Sequence, residues 1–220
     1  MNNILGIVVS YLYIALVIIG AKIFEKRGEE ASRKFVHIML GNWWIIAMYF
    51  FTNVWFAAFV PATFVIINYL SYKKNLIKVM EREKQDGFGT VYYAIALLLM
   101  AIVSFGIFNN PALGLVPTLV MAYGDGFAAI IGKKIKSKKY KLGDTKKSFA
   151  GSLTMFIIST ILIGAHLYFA HSTLFWKTAH WPLISCLMGF AITALEAVSG
   201  KGIDNISVPL GTLAMLILIG

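Results

Sequence analysis

The chain has little with which to fold in water. Charged residues make up 14% of its 220 positions, where a soluble domain carries about a quarter. Acids are scarcer still, ten against twenty Lys and Arg. There is one cysteine, Cys186. That excludes a disulfide within the chain and a thiolate metal site. In its apolar run Cys186 reads as a small packing residue. No nucleic-acid module is recognisable, so the net charge of +10 does not by itself point to DNA or RNA.

Two phosphate-loop patterns are also missing. Gly126 and Gly132 are separated by five residues where a Walker A loop needs four, and Lys133 is followed by Lys134 rather than Ser or Thr. Gly124 and Gly126 lack the third glycine of a dinucleotide fingerprint and stand in no βαβ context. Ser148 and Ser152 have no histidine on their side except His37, which argues against serine-hydrolase chemistry.

What remains is apolar. Hydrophobic residues are 59% of the chain, and the mean hydropathy is +0.76. The class is an all-α, polytopic membrane helix bundle, a single integral-membrane domain over 1–220. With about 20 residues per crossing, eight spans fit: Ile4–Phe24, Phe35–Phe51, Val54–Tyr72, Val91–Phe108, Ala112–Gly132, Phe149–Ala170, Pro182–Ser199 and Ile206 to the C-terminus. No Lys or Arg precedes the first run, so a retained span is expected rather than a signal peptide.

Charge tests this map. Nineteen of the twenty basic residues fall in the connectors after spans one, three, five and seven; Lys177 alone falls in an even connector. Basic residues collect on the cytoplasmic side. Both termini are therefore expected on the outer side and the odd connectors in the cytoplasm. Every acid lies on or near that same face. Any chemistry that needs carboxylates is expected at the cytoplasmic leaflet. A transporter, by contrast, calls for ionisable groups along a path across the membrane, and the outer halves of these spans carry none.

Asp125 is the acid that costs most, inside the fifth apolar run between Gly124 and Gly126. Such a residue is a functional-site candidate by default. Glycines there let backbone approach a ligand, and a lone carboxylate suits Mg²⁺, with phosphate supplying further oxygens. The stretch reads as a metal-holding break in the span. Eight lysines follow between 133 and 148. Most are explained by topology and attraction to anionic lipid. Lys146, Lys147 and Ser148 differ, because they open the sixth span. Cations, a hydroxyl and free N–H groups at a helix start make a phosphate cradle. Glu196 and Asp204-Asn205 bracket a Gly-Lys-Gly turn that can fold Asp204 back toward Glu196. With Asp125 they form a candidate carboxylate cluster for metal. Arg33 and His37 share a helix face at the start of the second span, and with Lys34 offer another phosphate contact.

These stretches, Ser32 to His37, Gly124 to Gly132, Lys146 to Ser152 and Glu196 to Pro209, resemble the polyprenol and diacylglycerol kinase family. That family includes dolichol kinase, phytol kinase and the CTP-dependent diacylglycerol kinase, and borders on the phosphatidate cytidylyltransferases. The resemblance covers a core from about residue 30 to the end. It implies transfer of the γ-phosphoryl group of CTP to a membrane lipid hydroxyl, with Mg²⁺. By position it assigns Arg33, Lys34, Asp125 and Gly132 to the family's required residues. It assigns Lys146, Lys147 and Ser148 to its nucleotide loop, and Glu196, Asp204 and Asn205 to its last motif. Dolichol kinases are usually much longer, which favours a compact enzyme and a different alcohol.

Overall fold

The computed structural model describes residues 2–26, 28–74, 88–142, 145–169, 180–200 and 202–219. The connectors 75–87 and 170–179, with Lys78, Arg82, Lys84 and Lys177, lie outside the described residues, as do Arg27, Asp144 and Lys201. The helices are α1 (Asn3–Glu25), α2 (Glu29–Gly41), α3 (Trp43–Phe50), α4 (Val54–Lys74), α5 (Gly89–Ala101), α6 (Leu115–Leu119), α7 (Gly126–Lys134), α8 (Phe149–Phe169), α9 (Trp181–Val198) and α10 (Asp204–Ile219). A π-helical segment, Ile102–Ile107, extends α5. A second, Val120–Asp125, joins α6 to α7.

Six of these stretches are long and apolar enough to cross a membrane: Asn3–Glu25, Val54–Lys74, Gly89–Ile107, Pro111–Lys134, Phe149–Phe169 and Trp181–Val198. The protein is a multi-pass helix bundle. The other two expected spans are helical but short. The run from Phe35 to Phe51 is split at Asn42 into α2 and α3, of 13 and 8 residues. Helix α10 has 16. Leu12, Trp55, Phe169 and Leu218 are exposed, an arrangement suited to lipid as solvent. Trp43, Trp44, Phe51, Met100, Met121 and Met155 fill the core. Cys186 is exposed rather than packed inside.

Apolar solvent gives apolar helix faces no reason to associate, so small residues must let backbones approach. A Cβ on Gly189 of α9 would fall 2.2 Å from Thr160 Oγ1 of α8. Two buried hydroxyls fold back on their own helix: Ser10 donates to Gly6 O at 2.7 Å and Thr212 to Val208 O at 2.8 Å.

One departure from an all-helical chain matters for the site. The lysine-rich segment after α7 is an antiparallel hairpin, β1 (Lys139–Leu142) paired with β2 (Thr145–Ser148), with Tyr140 opposite Lys147 and Lys141 opposite Lys146. Its strands are four residues each, too short and too polar to announce themselves by alternation.

The first turn of α5 ties four elements together. Asn205 Nδ2 of α10 donates to Gly89 O at 2.8 Å, and Asn68 Nδ2 of α4 donates to Thr90 O at 3.0 Å. Tyr93 donates its hydroxyl to His37 O of α2 at 3.0 Å. Gly202, before α10, has φ +79, and a Cβ there would fall 2.7 Å from Gly89 Cα. Only glycine suits both the positive φ and the backbone-to-backbone contact.

Candidate active site

Five elements bring charged groups to one place. The π-helical segment ends on Asp125, α9 presents Glu196 near its last turn, and α10 begins with Asp204. One oxygen from each lies within 4.8 Å of the others. Lys34 of α2 donates to Asp125 Oδ2 at 2.6 Å. His37 Nε2 stands 3.3 Å from the same oxygen and 3.1 Å from Met121 O. Lys147 of β2 pairs with Glu196 and stands 3.5 Å from Asp204 Oδ2. The Glu196 side chain is 5% exposed, that of Lys34 7% and that of Asp125 13%. Three carboxylates therefore face two ammonium groups, leaving one excess negative charge in a largely dry site.

Lys147 belongs to the hairpin and its charge is well held. Burial pulls its pKa down, but the Glu196 and Asp204 carboxylates outweigh that and leave it above the ordinary lysine value.

These groups line a cavity of about 740 Å³. Its lining includes a cationic set, Arg33, Lys133, Lys136, Lys139 and Lys146. Arg33 is held by Glu30, and Lys133 stands 3.3 Å from the same carboxylate. It also includes Val36 and Leu40 of α2, Asn68 and Tyr72 of α4, and Thr90 and Tyr93 of α5. A cavity lined by cations, by acids and by partly apolar residues suits a polyphosphate beside an amphipathic molecule.

All twelve residues expected from sequence reach this region, and the structure details their surroundings. Arg33, Lys34, Asp125, Gly132, Lys146, Lys147, Ser148, Glu196, Asp204 and Asn205 line the cavity. Gly124 and Gly126 lie behind it. A Cβ on Gly126 would fall 2.4 Å from Ile38 Cγ1, and one on Gly124 2.7 Å from Met155 Sδ. Both glycines sit where α2 and α8 press against the helix that carries Asp125. The expected break does not occur either. The helix runs through Asp125, widened by the π-helical segment, a feature frequent at functional sites. Gly132 is packed likewise, with a Cβ 2.5 Å from Ser148 Oγ.

The phosphate cradle at the start of α8 is corrected more sharply. Phe149 N–H donates to Lys138 O at 3.0 Å, Ala150 N–H to Ser137 Oγ at 3.1 Å and Gly151 N–H to Ser148 Oγ at 3.1 Å. The hairpin caps the helix that follows it, so these N–H groups are already satisfied. Ser148 is the N-cap. Asn205 likewise spends its amide on Gly89 O. The cationic side chains are what the loop offers to phosphate.

Sequence reasoning missed Glu30, which orients Arg33, and Asn68, which lines the same cavity. Asn68 left a signal: it is the lone carboxamide in the apolar run 54–72. His37 was placed on the face of Arg33; the structure sets it against Asp125.

Comparison with known proteins finds relatives along most of the chain. A phytol kinase of Synechocystis sp. is 31% identical over 205 residues, covering 91% of this chain and 85% of its own. A probable chloroplastic phytol kinase 1 of Oryza sativa subsp. japonica is 35% identical over 210 residues, 87% of this chain. The chloroplastic phytol kinase 1 of Arabidopsis thaliana is 33% identical over 202 residues, 84% of this chain. The chain spans 65% of the length of each of these two plant proteins. No family model and no solved structure matches. With similarity of this extent, running through nearly the whole chain, the protein belongs to the phytol and polyprenol kinase family.

Proposed function

We propose that this protein is a CTP-dependent lipid-alcohol kinase, a single integral-membrane domain whose active site faces the cytoplasm. The observation that carries the reading is the junction of three carboxylates within 4.8 Å with the cationic set lining one cavity. Phosphoryl transfer asks little covalent chemistry of a protein. It asks for positioning, charge neutralisation and a metal. The family resemblance supplies CTP as donor, and the relatives' names supply phytol or a related prenol as acceptor.

The donor set fits Mg²⁺, a hard cation that takes carboxylate oxygens and shares its remaining positions with phosphate. Asp125 and one of Glu196 and Asp204 would hold it, and when bound it would neutralise charge on the transferring group. The protein's own residues do the rest. Arg33, Lys34, Lys146 and Lys147 hold the phosphates beside the acids. The bond from the γ-phosphorus to its bridging oxygen breaks, and a bond to the alcohol oxygen forms. The hydroxyl proton passes to whichever of Glu196 and Asp204 is not engaged by metal. CDP and the lipid phosphate leave.

The charge pattern supports eight membrane segments with both termini outside, α2–α3 and α10 being the two short ones. Both are packed against long helices rather than facing lipid alone, α2 and α3 against α1 and α10 against α5 and α9.

The test uses purified protein, phytol, and CTP labelled separately at the γ and α phosphates. Label from the γ position in phytyl phosphate, and none from the α position, is the expected result. Lipid label from the α position alone, with phosphatidate as acceptor, would make it a cytidylyltransferase. Diacylglycerol in place of phytol decides between the two classes of alcohol.

A further inference from the structure

The cavity lining holds a polar group with no role in the chemistry above. Asn68 lies in α4, one of the six long apolar helices, and is 5% exposed. A buried carboxamide in such a segment needs a reason. Half of the reason is structural: its Nδ2 donates to Thr90 O at 3.0 Å. That bond also fixes which way the amide points. A peptide carbonyl can only accept, so the nitrogen must face Thr90 and the oxygen must face away. Among the described residues Asn68 Oδ1 accepts no hydrogen bond, and it is not sealed within the packing. Asn68 lines the cavity. Its free acceptor is therefore open to that space.

The backbone of α5 places this acceptor beside the acids. Thr90 O, which anchors Asn68, is the carbonyl next to Gly89 O, which anchors Asn205. Asn205 in turn follows Asp204 in the chain. One peptide unit thus separates the anchors of Asn68 and Asn205. Tyr72 follows Asn68 by one helical turn of α4 and Tyr93 follows Thr90 by three residues of α5, and both line the cavity together with Val36 and Leu40.

Resting on the lipid-alcohol kinase reading, we infer that the part of the cavity at Asn68 is the acceptor subsite and that Asn68 Oδ1 accepts the hydrogen bond of the alcohol's hydroxyl, turning its oxygen toward the acids. The hydrocarbon tail lies against apolar residues of the lining. Asn68 is a positioning and specificity residue: it reads a hydroxyl donor and does not take its proton.

The experiment compares phytol with phytyl methyl ether, which keeps the tail and oxygen but has no O–H to donate. Each competes with tritiated phytol for the full-length protein in nanodiscs, without nucleotide, so that no turnover intervenes. The native protein is expected to prefer phytol by about five- to tenfold, the measure of one net hydrogen bond. In Asn68→Leu the two ligands are expected to bind nearly alike, through weaker phytol binding with the ether unchanged. A purely structural Asn68 would weaken both ligands together and keep the ratio, and that result overturns the inference. Equal binding of both ligands by the native protein overturns it as well. Absence of any phytol binding by the native protein overturns the alcohol-kinase reading itself, which separates the two failures. Should Asn68→Leu not fold, Asn68→Ala is read in the same way. In turnover assays the variant is expected to raise KM for phytol while KM for CTP stays put.

Discussion

Lys147→Met tests the electrostatics of the site most directly. Met nearly matches the lysine stem in volume and removes only the charge and its hydrogen bonds. The native arrangement sets three carboxylates against two ammonium groups. The variant leaves Glu196, whose side chain is 5% exposed, and Asp204, at 15%, without their cation. Removing one member of a buried pair costs about 3–5 kcal/mol, because the remaining charge stays desolvated. Asp204 retains some access to water, so the lower end of that range applies. The same excess charge attracts a divalent cation. Unit charges 4 Å apart interact with about 4 kcal/mol at an effective dielectric of 20, and even a third of that is worth about tenfold in affinity. Lys147 and a cation compete for the same oxygens, so Lys147→Met is expected to bind Mn²⁺ at least about tenfold more tightly while losing phosphoryl transfer. The assay is Mn²⁺ titration by electron paramagnetic resonance without nucleotide, with thermal unfolding in chelator and in excess Mn²⁺ alongside. The variant is expected to be the less stable protein in chelator and to recover with the metal. Unchanged or weaker Mn²⁺ binding by a folded variant would refute the shared-ligand argument.

Three other outcomes follow from single contacts. Gly126→Ala sets a Cβ 2.4 Å from Ile38 Cγ1; it is expected to cost about 1–3 kcal/mol by overpacking and to lower activity by pushing Lys34 and His37 off Asp125, and adding Ile38→Ala is expected to restore both, which thermal unfolding and turnover of the double variant check. Ser148→Ala removes the acceptor of the Gly151 N–H; it is expected to cost about 1 kcal/mol as a lost N-cap, and unfolding midpoints compare it with the native protein. The pH dependence of Lys147 has a definite sign. Its folded pKa lies above the ordinary 10.5, so its contribution is fully present below that value and is lost as pH rises through the raised one. The stability difference between native protein and Lys147→Met is therefore expected to stay level from pH 6 to 9 and to shrink only above about 10.5; a difference that shrinks already near pH 8 would contradict it.

That the acids and cations of distant segments gather at one site was legible in sequence because it rests on long-range physics. Basic residues obey topology whatever their contacts, and nineteen of twenty fell in alternate connectors. The acids could then be placed by counting apolar runs. What failed to show was anything decided by local backbone geometry. Lys139–Leu142 and Thr145–Ser148 pair as strands with no apolar alternation, so the hairpin was read as a loop and the N–H groups it caps were read as free. The run from Phe35 to Phe51 carries Gly41-Asn42 at its middle, where the structure divides it, but one carboxamide in an apolar run marks a helix break and a buried polar contact equally well.

The glycines show how residues can meet at one place for a reason other than the one their sequence suggests. Gly-Asp-Gly in an apolar run suggests a loosened chain that wraps a ligand, and the same three residues equally serve a helix that two neighbours press closely. Sequence cannot separate these, because the difference lies in Ile38 and Met155, residues about 87 positions before and 30 after. In lipid the second use is the stronger requirement: close backbone approach supplies the dispersion that apolar burial cannot. Fixing Asp125 between α2 and α8 also fixes its oxygens against Lys34, Glu196 and Asp204. Close packing of the helix and preorganisation of the site are then one requirement. A variant that loosens the glycine contacts should lose metal affinity before it loses the fold.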